Sequence, residues 1–173
     1  MTYKIKNKFG EEIDTLIEGN ENAETTIVFV HGDLTNKDDG ANLFLDLRDY
    51  LKEKYRIIRF DYTGFGNSGG AQDDTCYSKM ANDLGAVIAW VKNNYNGKVF
   101  VLAHSKGGFI TSLLSPDNIS KAIFTGPPSF PASNGIQRLK QRIVENNGIY
   151  NENGLSVYTN KRGHCYKYGP RWW

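Results

Sequence analysis

Val99-Phe100-Val101-Leu102-Ala103-His104-Ser105-Lys106-Gly107-Gly108-Phe109 decides how this chain folds. A wholly apolar run over 99–103 ends at a serine set among small residues, and a helix-like stretch over 109–114 follows. Strand, sharp turn and helix in that order make the elbow written G-x-S-x-G, here with Ala103 at the first glycine position. Such a turn strains the serine backbone and leaves its neighbours little room for side chains, which suits Gly107 and Gly108. The serine hydroxyl is then presented above the sheet, at the positive end of the helix dipole.

A serine used as a nucleophile needs a general base, usually histidine, and a carboxylate to orient it. On this scaffold the partners follow in chain order: serine, then Asp or Glu, then His. Only His164 lies beyond Ser105, and between residues 120 and 151 the one acidic residue is Glu145. An orienting acid after the strand at 122–125 is therefore missing. The expectation is a nucleophile whose acid and base lie outside these 173 residues, with the chain an N-terminal portion.

Working outward, 3–7 and 13–18 read as two strands around the turn Lys8-Phe9-Gly10-Glu11. The continuous apolar run at 25–30 suits a parallel strand covered on both faces. Leu43, Phe44, Leu47, Tyr50 and Leu51 recur at helical spacing, and 56–62 is the next strand. Met80, Leu84, Val87, Ile88 and Val91 mark a second amphipathic helix, stopped near Asn96-Gly97. A short strand at 122–125 closes the alternation. Strands alternating with helices predict an α/β architecture, a mostly parallel sheet with helices on both faces and its C-terminal part missing. After Pro131 the rhythm changes: one helix through Ile136, Leu139 and Ile143, then a hairpin of 155–159 and 165–168 around Asn160-Lys161-Arg162-Gly163. The expected division is a core over 1–131 and the start of a cap or insertion over 132–173.

His31-Gly32-Asp33-Leu34 follows the strand at 27–30. In the elbow architecture this loop supplies one backbone N–H of an oxyanion hole, from Asp33 or Leu34, and Lys106 supplies the other. Two fixed donors can each contribute on the order of 3 kcal/mol to lowering a barrier. His31 is expected as a structural hydrogen-bonder, His104 as structural and pointing away from Ser105, and His164 as an exposed polar residue. Gly64-Phe65-Gly66-Asn67-Ser68-Gly69 fits G-x-G-x-x-G, but no helix opens at once and the expected acidic residue does not follow, so a turn is predicted rather than a dinucleotide site. Arg138, Lys140 and Arg142, the only dense basic group, are assigned to the solvated face of a helix.

The net charge of +2 gives no ground for a nucleic-acid partner. No apolar stretch is long enough to span a membrane, and no signal peptide is visible. Cys76 and Cys165 lack motif spacing and read as free thiols of a reducing compartment, with pairing left open. The expected location is cytoplasmic.

Three runs carry a resemblance: Val30-His31-Gly32; Arg59-Phe60-Asp61-Tyr62-Thr63-Gly64-Phe65-Gly66-Asn67-Ser68; and Ala103-His104-Ser105-Lys106-Gly107-Gly108. Together, in this order, they resemble the α/β-hydrolase superfamily, and most of all its serine-aminopeptidase-like and feruloyl-esterase-like branch. The resemblance implies an esterase, thioesterase, lipase or peptidase working without cofactor or metal on a small-molecule acyl substrate. It makes Ser105 the nucleophile and the N–H groups of Asp33 or Leu34 and of Lys106 the oxyanion hole. It gives Asp61 a structural place in the D-x-x-G-x-G-x-S turn. It also implies that the chain stops in the cap, before the acid and the histidine. The rival reading is a non-catalytic hydrolase fold used as a binding module. A sheet that stops at the strand carrying Ile123 and Phe124 is expected to leave an uncovered edge, and Trp172-Trp173 to add apolar surface; both favour self-association.

Overall fold

The computed structural model describes residues 1–128 and 132–173. Six strands form one sheet in the order β1-β2-β4-β3-β5-β6. β1 (Thr2–Lys6) and β2 (Glu12–Gly19) are an antiparallel hairpin. β2 also runs antiparallel to β4 (Arg56–Phe60). From there the sheet is parallel through β3 (Thr25–Val30), β5 (Lys98–His104) and β6 (Lys121–Thr125). The crossovers are helical, α1 (Leu43–Leu51), α2 (Tyr77–Asn94) and α3 (Lys106–Ser112), as parallel neighbours require.

Strand alternation divides the core into two layers. Ile27, Phe29, Ile57 and Leu102 point to one face and pack with Phe44 of α1. Val28, Val30, Ile58, Phe60, Val101 and Ala103 point to the other and meet Met80, Leu84, Val87, Ile88 and Val91 of α2. The apolar runs of β3, β4 and β5 are continuous in sequence because both of their faces are covered.

β6 differs. Among the described residues it pairs only with β5, all five of its residues are exposed, and Ile123 and Phe124 are 53% and 45% accessible. The edge anticipated from the sequence is therefore present. The terminal tryptophans are not exposed in the way the sequence suggested. Trp172 is buried, its ring 5.0 Å from that of Tyr77 and 5.2 Å from that of Tyr168, and Trp173 stacks edge-on against Tyr150 at 5.0 Å. Aromatic partners supplied by α2 and by the C-terminal hairpin remove this surface from water, and nothing in the local sequence announces them.

Further along the chain, α4 (Ala132–Glu145) leads to a separate two-stranded antiparallel sheet of β7 (Ser156–Thr159) and β8 (Cys165–Tyr168). Ile143, Tyr158, Tyr166 and Tyr168 bury into the same cluster as α2, so this segment shares the core of the main sheet. Cys76 and Cys165 are both free. Among the described residues no helix is long and apolar enough to cross a membrane.

A buried charge cluster ties the loop after β3 to the loop after β4. Lys37 Nζ lies 2.8 Å from Asp14 Oδ2 and 2.7 Å from Asp61 Oδ2, with Asp61 wholly buried. Asp61 also accepts the backbone N–H groups of Lys37 (2.7 Å) and Asn67 (2.8 Å). Burial alone would raise the Asp14 carboxyl, but Lys37 and Lys4 outweigh it and hold it below its usual range. Gly66 turns tightly over this cluster at φ 51°, where an added Cβ would lie 2.1 Å from Asp61 Oδ2. The G-x-G-x-x-G run is thus a turn, built around a carboxylate that is fully committed to structure.

Candidate active site

Ser105 is the hinge between β5 and α3. Its backbone sits at φ 51°, ψ −123°, outside every region comfortable for a non-glycine residue. Two bonds fix it there: its N–H donates to the Thr125 carbonyl at 2.9 Å, and its carbonyl accepts the Gly108 N–H at 3.0 Å. Strain held by surrounding structure in this way concentrates at functional positions. The hydroxyl does not cap the helix it precedes. The glycines after it answer to close packing: a Cβ on Gly107 would lie 2.2 Å from the Val30 carbonyl oxygen, so only glycine lets α3 rest on β3.

The loop after β3 comes directly against the elbow. A Cβ on Gly32 would stand 3.2 Å from Ser105 Cβ and 3.6 Å from His104 Nδ1. Leu34, two residues on, is also left-handed, at φ 57°. Asp33, Leu34 and Lys106 all line the same hollow of about 680 Å³ as Ser105. Lys106 opens α3, where backbone N–H groups have no preceding carbonyl within the helix. The side chains of Lys106 and Asp33 pair at 2.7 Å. The ammonium also packs over the rings of Phe65 (5.4 Å) and Trp172 (5.5 Å). This half-buried contact braces the β3 loop against the elbow. The sequence brings all four of its predicted site residues to one place, and the structure adds Trp172, Phe109 and Tyr77 to the wall.

The three histidines divide. His31 is buried, with Nδ1 3.0 Å from the Gly32 carbonyl and Nε2 accepting the Tyr62 N–H at 3.4 Å. Those bonds fix one neutral tautomer. Burial, reinforced by the charge of Lys106, pushes the imidazole down to about 4. An unfolded histidine titrates near 6.5. Below that pH the unfolded chain takes up a proton that the folded chain refuses, so stability falls from about pH 6.5 to about pH 4 and then levels off. At 1.36 kcal/mol per unit the loss is about 3 kcal/mol. Urea unfolding across this range checks it. His31→Gln is expected to flatten that part of the curve, and an unchanged slope in the variant would acquit His31.

His104 is paired within the fold, as a structural residue would be, yet it borders the site. It faces a second hollow of about 670 Å³ that Ser105 also lines, with Nδ1 2.6 Å from Asp39 Oδ2. His164, exposed on the β7–β8 turn, lines the same hollow, its Nδ1 3.4 Å from the Tyr166 hydroxyl. Among the described residues no hydrogen bond joins either ring to Ser105. Arg138 and Arg142 are exposed, as a solvated helix face requires, yet both also border the hollow of Ser105. The sequence could not foresee this, because helical periodicity does not say what a polar face overlooks.

The family model described as serine aminopeptidase S33 matches residues 21–168. Among solved structures, an esterase of Pyrococcus furiosus aligns with a TM-score of 0.69 at 22% identity, covering 83% of this chain and 56% of its own. An esterase of Thermogutta terrifontis aligns with a TM-score of 0.64 at 22% identity, covering 83% and 53%. An esterase of Exiguobacterium antarcticum gives 0.67 at 24% identity, covering 85% and 57%. The chain thus spans little more than half the length of these structures, and at such identity the likeness speaks for the fold. Among proteins with curated descriptions none matches.

Proposed function

The chain belongs to the serine aminopeptidase S33 family of α/β-hydrolases, and from that premise we propose that its site serves a serine hydrolase acting on carboxylic esters, thioesters or amides. Ser105 Oγ attacks the acyl carbonyl carbon while a histidine base takes its proton. The carbonyl oxygen, now anionic, is received by the N–H of Lys106 and that of Asp33 or Leu34. The bond to the leaving group breaks as that group regains the proton, and water then releases the acyl group from Ser105. The observation that carries this reading is the left-handed Ser105 at the β5–α3 junction, with the Gly32 loop against its Cβ. Residues 132–173 act as a cap over the core of 1–131, a reading supported by α4, which borders both hollows through Arg142, and by the β7–β8 turn, which borders the second.

The test is covalent. After incubation with p-nitrophenyl acetate, peptide mass mapping should find an acetyl group on Ser105, and the Ser105→Ala chain should carry none at that peptide. A folded chain that never acylates at Ser105 would favour the non-catalytic binding module instead.

The exposed β6 edge supports a second proposal, self-association. Unpaired strand edges with apolar side chains template pairing between molecules. Size-exclusion chromatography with light scattering should give a mass above the monomer. Ile123→Lys, which puts a charge on that edge, should restore the monomer. A wild-type chain that is monodisperse and monomeric at high concentration would refute it.

A further inference from the structure

Five of the chain's 21 Lys and Arg residues border the two hollows beside Ser105: Lys106, Arg138, Arg142, Lys161 and Arg162. Only two of its 19 carboxylates do so among the described residues, Asp33 and Asp39. The net charge of the whole chain is +2, so the cationic excess is a property of this site and not of the surface in general. Both carboxylates are already engaged. Asp33 is held by Lys106 at 2.7 Å, with Arg142 at 3.8 Å, and Asp39 by His104 at 2.6 Å. Lys161 and Arg162 form no ion pair among the described residues. The cations come from three elements, α3, α4 and the β7–β8 turn, and Arg142 borders both hollows.

Concave walls of one charge sign focus the field and draw oppositely charged ligands inward. Guanidinium groups add a planar fork that matches a carboxylate. Resting on the hydrolase reading of Ser105, we infer that the site takes acyl substrates bearing a carboxylate, held by Arg142 with Lys161 and Arg162 while the ester faces Ser105. The apolar part of such a molecule would lie along Phe109, Leu139 and Trp172.

The Ser105→Ala chain, which cannot acylate, tests the binding alone. Isothermal titration would compare monobenzyl glutarate, an anion, with benzyl methyl glutarate, its neutral counterpart. The anion should bind at least tenfold more tightly at low salt, with the advantage shrinking as salt rises. Arg142→Gln should remove most of that advantage and leave the neutral ester's affinity unchanged. Should Arg142→Gln fail to fold, Lys161→Gln/Arg162→Gln changes two exposed residues and should reduce the preference severalfold. Equal affinities, tighter binding of the neutral ester, no binding of either, or a preference untouched by the variants would each overturn the inference. Because Ser105 is absent from the experiment, failure of acetylation and failure of anion preference are told apart.

Discussion

Steady-state hydrolysis of p-nitrophenyl acetate by the 173-residue chain is expected to run about four to six orders of magnitude below that of a complete Ser-His-acid triad, the loss that removal of triad members causes elsewhere. The reason lies with the histidines. His31 is locked neutral inside the core, bonded to Gly32 and Tyr62. The ring of His104 is fixed on Asp39, and that of His164 stands beside a tyrosine hydroxyl on an exposed turn. With neither ring bonded to Ser105, what remains is the oxyanion contribution, and because that comes from backbone N–H groups Ser105→Ala should lower the residual rate little further. Rapid turnover that disappears in Ser105→Ala would mean that one of these rings does reach the hydroxyl. His164→Ala would then be the first variant to make, and His104→Ala the second.

Lys37→Met is expected to destabilise the fold by about 3–5 kcal/mol, because it strands a buried charge instead of replacing a pair. Asp14 would keep Lys4, whose ammonium lies 2.8 Å away. Asp61 would keep two backbone N–H donors but no counter-charge, in a position wholly shut off from water. Urea denaturation should show the loss as a lower midpoint at unchanged slope. Adding Asp61→Asn to the variant should recover part of it, since the stranded charge is then gone, and the two changes should be far from additive. A loss below about 1 kcal/mol would mean that water reaches the cluster and screens it.

Much of the fold was legible because its signals are local. The period-two and unbroken apolar runs gave β1 to β6, the 3.6-residue spacing gave α1 and α2, and the elbow gave the junction at Ser105. The hairpin of β7 and β8 followed from its turn residues. What could not be read depends on contacts between distant segments. Nothing near Lys37 in the chain points to Asp14 or Asp61, 23 and 24 residues away. The pairing of His104 with Asp39 spans 65 residues, and nothing near either residue in the chain points to the other. The basic face of α4 looked solvated because it is; only the placement of the helix beside Ser105 makes it part of a site. Trp172 looked exposed because it lies near the last residue, and its partners Tyr77 and Lys106 come from elements folded much earlier in the chain.

That buried indole has a use beyond packing. Trp90 stacks with Tyr3 and Tyr95 on α2, and Trp173 with Tyr150, whereas Trp172 alone of the three forms part of the wall beside Ser105, under the ammonium of Lys106. A molecule seated in the hollow would lie beside the edge of that ring and shift the charge above it. A shift of that charge is expected to change the colour and brightness of its emission. Trp172 is thus the expected optical gauge of occupancy, and Trp172→Phe, read against Trp90 and Trp173, should separate that signal from the rest.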